Sequence, residues 1–395
     1  YTYITKIRKN ATGNFKTLAE QMTIDPAMLR YLNGNQNSKK APNENYAREL
    51  LELFTIGKGR FAGEGDYTTF TEEDVVSAAQ VLTGWRDIGY FGRDDRGIGA
   101  VYINNRHDKS TKNMSHRFGN AQIEDQGEDE YKALINIIFQ QDEVAKFICR
   151  KLYRWFVYYD ITEEVEANII DPLASMLRDN KYEILPVLKT LLSSEHFFNI
   201  CSIGPMIKNP ITFLVNLLRQ NNVSLPQNDI LKKYNVLFRM NRSFENSEMA
   251  YFNPPNVAGW KAFYQEPLYN RIWISSVTLR ARQAISDAIS LGQIRIGGFS
   301  VTVDLIDYIS SFGDPFDPNT LIKEFVANLF PQPITEKQLI FLKEILIPGL
   351  PDFEWTVEYD LYLNNPDNEE TRQSIDQKLR NFFSALLKMP EYYLS

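Results

Sequence analysis

Apolar side chains recur every three to four positions over most of the chain, which is the period of an α-helix. This pattern predicts amphipathic helices in the segments 1–33, 43–56, 71–85, 128–198, 205–221, 269–291, 300–347 and 369–388. Thr71 and Asp74 have the spacing of a capping box. By contrast, residues 86–127 show no long periodic pattern, and residues 350–368 are acidic and turn-rich. The sequence therefore predicts a mainly α fold, a multi-helix globular structure with long irregular loops and at most a few short strands.

The helix predicted at residues 43–56 carries an unusual density of Asn, Glu and Arg. Asn43 is expected to cap its first turn, because an Asn side chain accepts a hydrogen bond from a free amide there. Gly57 suits the left-handed residue that ends a helix. One arc of the helix is apolar and must be buried, and it holds Tyr46, Ala47, Leu50, Leu51, Leu53 and Phe54. The opposite arc is polar and holds Glu44, Asn45, Arg48, Glu49 and Glu52.

The polar arc has two interpretations. In the first it is solvated, and Glu44, Arg48 and Glu52 form weak ion pairs at four-residue spacing. In the second it lines a polar cleft, where its carboxylates, amides and guanidinium bind a cation or take part in acid–base chemistry. Glu49 lies close to Leu53 on the helical wheel, so we expect Glu49 to be half-buried and to need a partner or a raised pKa.

The irregular segment 86–127 is the second place where chemistry can be expected, since long loops inside compact domains are often functional. It contains His107, Asp108, Lys112 and His116, and thus two of the three histidines of the chain. Histidine titrates near neutral pH and is a common metal ligand. Short strands are also expected here, for example at residues 99–104.

Composition narrows the classes of function. The formal net charge is −7 and the isoelectric point about 5.3. This argues against a nucleic-acid-binding protein, which needs a basic face. The chain lacks the run of about 18 apolar residues that a transmembrane helix requires. Its cysteines, Cys149 and Cys201, leave one disulfide and two thiols both open, although Cys149 falls within a helical apolar pattern that favours a buried thiol.

The enzymatic hypothesis joins the polar helix to the loop. His107 would act as general base or metal ligand, and Asp108 would orient it or bind a cation beside it. Glu44, Glu49 and His116 would complete a His/carboxylate site of the kind that holds a divalent metal and supports hydrolysis. The alternative is structural: the His-Asp pair caps a loop, and Glu49 is satisfied by the backbone or by the adjacent arginine.

Candidates for binding a ligand lie in the same blocks, and they are Asn43, Asn45, Arg48, Trp85 and Lys112. The Trp85 ring could stack on a sugar or a peptide, but a buried anchor is the commoner use of so large a side chain. No nucleophile elbow, phosphate-binding Walker loop or zinc-protease helix motif occurs in the sequence.

The order of several short segments resembles the DUF1800 family, a bacterial family of unknown function. Residues 43–54, NENYARELLELF, are very similar to the signature of that family. The other matching segments are 26–32, Tyr67, 74–75, 82–85 (LTGW), 107–108, Lys112, 118–119, 208–210 (KNP), 253–260 (NPPNVAGW) and 390–392. The segment 58–66 lengthens a connection that is shorter in relatives, and the match begins inside the family domain, so we expect that domain to be N-terminally incomplete here.

The resemblance implies one continuous helical domain, in which residues 1–127, 128–300 and 301–395 form successive parts. It also implies a periplasmic, cell-surface or extracellular location, because relatives often carry export signals, and it implies no established reaction. Two hypotheses about function remain. The protein binds another protein in an envelope or extracellular assembly, or it is a hydrolase-like enzyme. An enzyme needs Glu49, His107 and Asp108 to converge in a pocket, whereas an interaction protein does not.

Overall fold

A computed structural model describes residues 1–90, 97–296 and 299–395, and in these ranges the fold is mainly helical. Strands occur there only as four antiparallel pairs. This confirms the predicted fold class. Within the same ranges, none of the helices combines the length and the apolar character needed to cross a membrane.

The chain divides into two compact units, Tyr1–Phe197 and Phe198–Ser395. The boundaries predicted near residues 127 and 300 lie inside these units, and the single continuous domain stays a prediction. Cys149 is a buried free thiol in the first unit, and Cys201 is an exposed free thiol in the second.

The first unit consists of ten α-helices and three strand pairs in its described residues. The helices are α1 (Thr2–Asn10), α2 (Phe15–Thr23), α3 (Pro26–Tyr31), α4 (Glu44–Glu49), α5 (Glu72–Val81), α6 (Glu130–Ile138), α7 (Asp142–Phe156), α8 (Glu163–Val165), α9 (Asp171–Asp179) and α10 (Ile184–Leu192). The strands pair in sequence order, and they are β1 (Phe61–Gly63) with β2 (Asp66–Tyr67), β3 (Trp85–Ile88) with β4 (Gly99–Tyr102), and β5 (Lys112–Asn113) with β6 (Gln122–Ile123).

The signature helix begins as predicted but does not stay α-helical. Asn43 caps α4 by accepting a hydrogen bond from the backbone N–H of Asn45 at 3.0 Å. After α4 the chain continues as a π-helix over Leu50–Thr55. This wider turn rotates the following residues, so Thr55 and Ile56 are buried while Leu53 and Phe54 are only half-buried. The predicted burial of Leu53 and Phe54 is therefore wrong in part, because the prediction used the period of an α-helix where the chain forms a π-helix.

The buried carboxylate at the start of α5 holds the chain around Ser115 in place. The predicted capping box forms, since the backbone N–H of Asp74 donates to the Thr71 hydroxyl and the N–H of Thr71 donates to the Asp74 carboxylate. The same carboxylate accepts hydrogen bonds from the backbone N–H and the hydroxyl of Ser115, both at 2.7 Å. A fully buried Asp needs such a set of donors, and here they fix Ser115 against the helix.

The second unit packs its helices around one large apolar core. The helices are α11 (Pro210–Gln220), α12 (Ile230–Asn246), α13 (Ser276–Ser290), α14 (Leu305–Ser310), α15 (Pro318–Leu329), α16 (Glu336–Leu346), α17 (Asp352–Asn364) and α18 (Glu369–Leu387). The strands β7 (Ile294–Ile296) and β8 (Phe299–Val301) pair antiparallel.

The acidic segment before α18 forms the helix α17, where the sequence pattern predicted turns, so that part of the prediction is wrong. The reason is that α17 is apolar on two opposite faces and shows no single stripe. One face is buried through Trp355 and Tyr359, whose rings are stacked 5.9 Å apart. The other face presents Phe353, Val357 and Leu361, which are about half exposed or more, at 60%, 49% and 58%.

Candidate functional site

His107 lies at the centre of a buried charge cluster in the first unit. It follows a 3-10 turn at Asn104–Arg106, and its side chain is fully buried. Its Nδ1 lies 2.9 Å from the carbonyl oxygen of Thr83, and its Nε2 lies 2.9 Å from Oε2 of Glu130. A doubly protonated ring donates to both of these acceptors, and the nearby Thr83 hydroxyl donates to the Gln80 carbonyl. The geometry therefore favours the charged imidazolium form of His107.

The environment of His107 accounts for that charge. Burial alone lowers the pKa of a histidine, because it disfavours the charged form. Here the hydrogen bond to Glu130 and the bond to the Thr83 carbonyl outweigh burial, and the pKa of His107 is raised. A group held in this way stabilises a fold and is poorly suited to accept a proton from a substrate.

Glu130, at the start of α6, bridges two buried cations. Its Oε2 accepts from His107, and its Oε1 lies 2.6 Å from Nζ of Lys112. Lys112 also donates to the backbone carbonyl of Asp108, and the partly exposed carboxylate of Asp125 approaches His107 Nε2 at 3.6 Å. The cluster thus balances two positive groups with two negative ones. Pairing of this kind offsets the cost of taking the charges out of water.

His107, Asp125 and Glu130 form the group of possible metal ligands in the described ranges, and their donor atoms lie within 4.8 Å of one another. A divalent ion there would have to displace the proton on His107 Nε2, since a metal binds the neutral imidazole. It would also sit beside Lys112 Nζ, whose positive charge repels it. The donor set fits a closed charge network better than it fits a metal centre.

Aromatic rings surround this cluster. The Tyr102 ring packs edge-on against His107 at 5.4 Å, and the Trp85 ring packs against Tyr102 at 5.6 Å and against Tyr131 at 5.9 Å. Burial, followed by the nearby charges of Asp125 and Glu130, raises the pKa of Tyr102 to about 12. Trp85 is half-buried in this stack, and its role as a ligand-binding residue stays a prediction.

Asp108 and His116 lie apart from the charge pairs of His107. The Asp108 carboxylate accepts from the backbone N–H and the hydroxyl of Ser110 at 2.9 and 2.6 Å. Burial raises the pKa of Asp108, but these bonds outweigh burial and the net pKa is lowered. His116 is exposed, and its Nε2 lies 3.9 Å from Asp66. Glu130, and not Asp108, is the carboxylate hydrogen-bonded to His107, and the orienting role of Asp108 stays a prediction.

The polar arc of α4 makes its own contacts. Arg48 pairs with Glu72 of α5 at 2.7 Å and with Glu44 at 3.1 Å. The side chain of Asn45 donates to the Leu32 carbonyl at 3.3 Å, while Asn43 serves as the cap. Arg48 therefore ties α4 to α5 across their exposed edges.

Glu49 is half-buried, as expected. Burial and then the charge of Glu52 raise its pKa, and Arg48 partly offsets the rise. The charged neighbours of His107 are a different set, namely Glu130, Lys112 and Asp125. Among the described residues, no hydrogen bond or ion pair joins Glu49 to His107. The polar arc of α4 and the cluster around His107 are thus two separate groups, whereas the enzymatic hypothesis requires a single site that contains both residues.

Glu130, Thr83 and Asp125 were not predicted as site residues. Glu130 is 23 residues from His107, and the pattern around it predicts only an amphipathic helix. Thr83 belongs to the LTGW segment, so the family resemblance was the one signal that pointed to it.

A second buried polar cluster lies in the second unit and consists of two cations. Nζ of Lys208 donates to the Tyr392 carbonyl at 2.8 Å, and the Arg282 guanidinium donates to the Lys208 carbonyl at 2.7 Å. Neither cation forms an ion pair with an acid in the described ranges. Burial, and then the charge of Arg282, lowers the pKa of Lys208 to about 8. The Arg282 guanidinium lies 5.0 Å from the Phe213 ring, a favourable cation–π geometry.

This lowered pKa has a measurable consequence. The unfolded chain keeps the Lys208 proton up to a pKa of about 10.4, whereas the folded protein loses it near 8. Between these values the unfolded state binds more protons, so this lysine makes the free energy of unfolding rise with pH, by up to about 1.4 kcal/mol per pH unit. We expect urea denaturation from pH 7.5 to 9.5 to show this rise, and Lys208→Met to flatten it. The control variant, Lys323→Met on the exposed side of α15, should keep the wild-type slope; equal slopes in all three proteins would contradict the assignment.

A family model described as "Protein of unknown function (DUF1800)" matches residues 1–394. The chain therefore belongs to this family, as the ordered segments predicted. Comparison with curated proteins and with solved structures gives no match.

Proposed function

We propose that this protein acts by binding another protein, in an assembly of the bacterial envelope or the extracellular space. The observation that supports the proposal is the second apolar face of α17. A helix that is apolar on both sides is usually buried on both sides, and here Phe353, Val357 and Leu361 face solvent. Burying one such side chain contributes about 1.5–3 kcal/mol, so a partner that covers all three gains substantial affinity.

The alternative is a hydrolase with a His/carboxylate site. It would require a substrate to reach His107, whose side chain is fully buried and engaged at both ring nitrogens. The exposed face of α17 requires no such rearrangement. We therefore favour the binding function.

Site-specific photo-crosslinking in the native host tests the proposal. We expect a crosslinking residue in place of Val357 to capture a discrete polypeptide in the envelope or secreted fraction. The same residue in place of Lys337, which is exposed on α16, is the control and should capture none. If positions 353, 357 and 361 all remain uncrosslinked, the proposed binding to a partner is wrong. If the protein is recovered only in the cytoplasm, the proposed location is wrong.

A further inference from the structure

The helix α12 presents a second exposed apolar surface on the same unit. It is anchored in the core by Val236 and Phe244, which are 2% and 8% exposed. Its solvent-facing side is nevertheless apolar along the first nine residues, and the side chains there are Ile230, Leu231, Tyr234, Leu237 and Phe238. Monomeric proteins rarely expose so contiguous an apolar strip without using it.

Basic side chains flank this strip. The charged residues of α12 are four basic side chains and one acidic side chain. This excess of positive charge stands out in a chain whose net charge is −7. On the helical wheel Lys233 lies beside Ile230 at one edge, and Arg242 lies beside Phe238 at the other. The Arg242 guanidinium lies 5.4 Å from the centre of the Phe238 ring. It also forms an ion pair with Glu245 of the same helix at 3.7 Å. Lys233 has no ion pair in the described ranges.

The exposed face of α17 has the opposite charge. This helix contains four acidic residues and no basic one. Asp352 and Glu358 are paired with Lys343 and Lys378 of neighbouring helices. The other two acids, Glu354 and Asp360, flank the apolar strip at its two edges on the wheel and make no ion pair in the described part of the chain.

We propose that α12 of one copy docks against α17 of a second copy, so that the protein assembles head to tail. The apolar strips would bury each other, while Lys233 and Arg242 would meet Glu354 and Asp360. Both strips run at four-residue spacing, Ile230–Tyr234–Phe238 on one helix and Phe353–Val357–Leu361 on the other, which is the ridge that packs helix against helix. This inference rests on the proposed binding function and names its partner.

Two different surfaces make the contact, so it is heterologous. Such contacts generate rings if the rotation between copies closes, and open filaments if it does not. An anionic membrane would also attract a basic amphipathic helix. However, a membrane explains only α12, because the acids beside the α17 strip would be repelled from it. A second copy uses both surfaces at once.

Charge reversal tests the pairing directly. We expect the full chain to self-associate in sedimentation velocity, with the association weakened in 1 M salt, where charges are strongly screened. Lys233→Glu/Arg242→Glu on α12 and Glu354→Lys/Asp360→Lys on α17 should each weaken self-association at least tenfold. A matched control, Arg8→Glu/Lys189→Glu on exposed positions of the first unit, changes the net charge as the α12 variant does and should self-associate like the wild type.

Mixing the two variants gives the decisive result. An equimolar mixture should recover association, because each reversed surface then meets a complementary one, and a chain carrying all four substitutions should associate with itself. A wild-type protein that remains monomeric, or an association that mixing does not restore, would overturn the inference. Binding of wild type to vesicles containing phosphatidylglycerol without self-association would assign α12 to a membrane instead. Capture of a different protein at position 357 would leave the proposed function standing while this inference fails.

Discussion

Glu130→Gln is expected to lower the free energy of unfolding by about 3–5 kcal/mol, the cost of breaking a buried ion pair on one side. Glutamine keeps the shape of the side chain but removes the charge that faces both Lys112 and His107. Two buried cations would then lack their main counter-ion. Urea denaturation measures the loss, and Glu128→Gln, two residues away at an exposed position, should change stability by no more than about 0.5 kcal/mol.

The pH dependence of the same variant separates charge from packing. The folded pKa of His107 is raised, so its contribution is fully present below the unfolded value of about 6.5 and is lost as pH rises through the folded value. In Glu130→Gln the imidazole loses its carboxylate partner, so we expect its NMR titration midpoint to fall below that of wild type. An unchanged midpoint together with an unchanged stability would mean that the cluster does not hold the fold.

Trp355→Ala is the second large effect that we expect, with a loss of about 3–5 kcal/mol. The side chain is fully buried, its indole N–H donates to the Pro315 carbonyl at 2.9 Å, and its ring stacks on Tyr359. Removing it leaves a cavity and an unpaired carbonyl. Chemical denaturation followed by circular dichroism measures the change.

Phe353→Ala is the matched control for that prediction, since it removes an aromatic ring from the opposite face of the same helix. Phe353 is 60% exposed, so its truncation should cost no more than about 0.5 kcal/mol. The same truncation should weaken self-association or partner binding, which depends on that face. Equal losses of stability from the two truncations would show that the outer face of α17 is covered within the protein itself.

Elements that depend on local chemistry could be predicted from the sequence. The cap at Asn43 and the capping box of Thr71 and Asp74 are set by residues within three positions of one another, and both form. The long helix α18 has one buried stripe and was predicted nearly to its last residue. In each case the information lies in a short stretch of chain.

Features that depend on a second element could not be predicted in this way. The periodic pattern predicted no helix for α17, because two opposite apolar faces cancel in such a pattern. It also missed α12, because most of the apolar side chains of that helix remain exposed. The partner of His107 could not be identified because Glu130 lies on a separate element, α6. Pairings across elements leave no mark in the spacing of either.

The π-helical turn at Leu50–Thr55 has a consequence for how the family signature can change. A π turn contains one residue more than the α turn it replaces, and Gly57 here bonds back to Leu51, six residues earlier. The signature therefore holds the equivalent of a one-residue insertion, absorbed without a loop. The α-helical half and the π-helical half of the signature have different numbers of residues per turn. Side chains of α4 and of Leu50–Thr55 therefore lie in separate packing environments and do not form one continuous helix face.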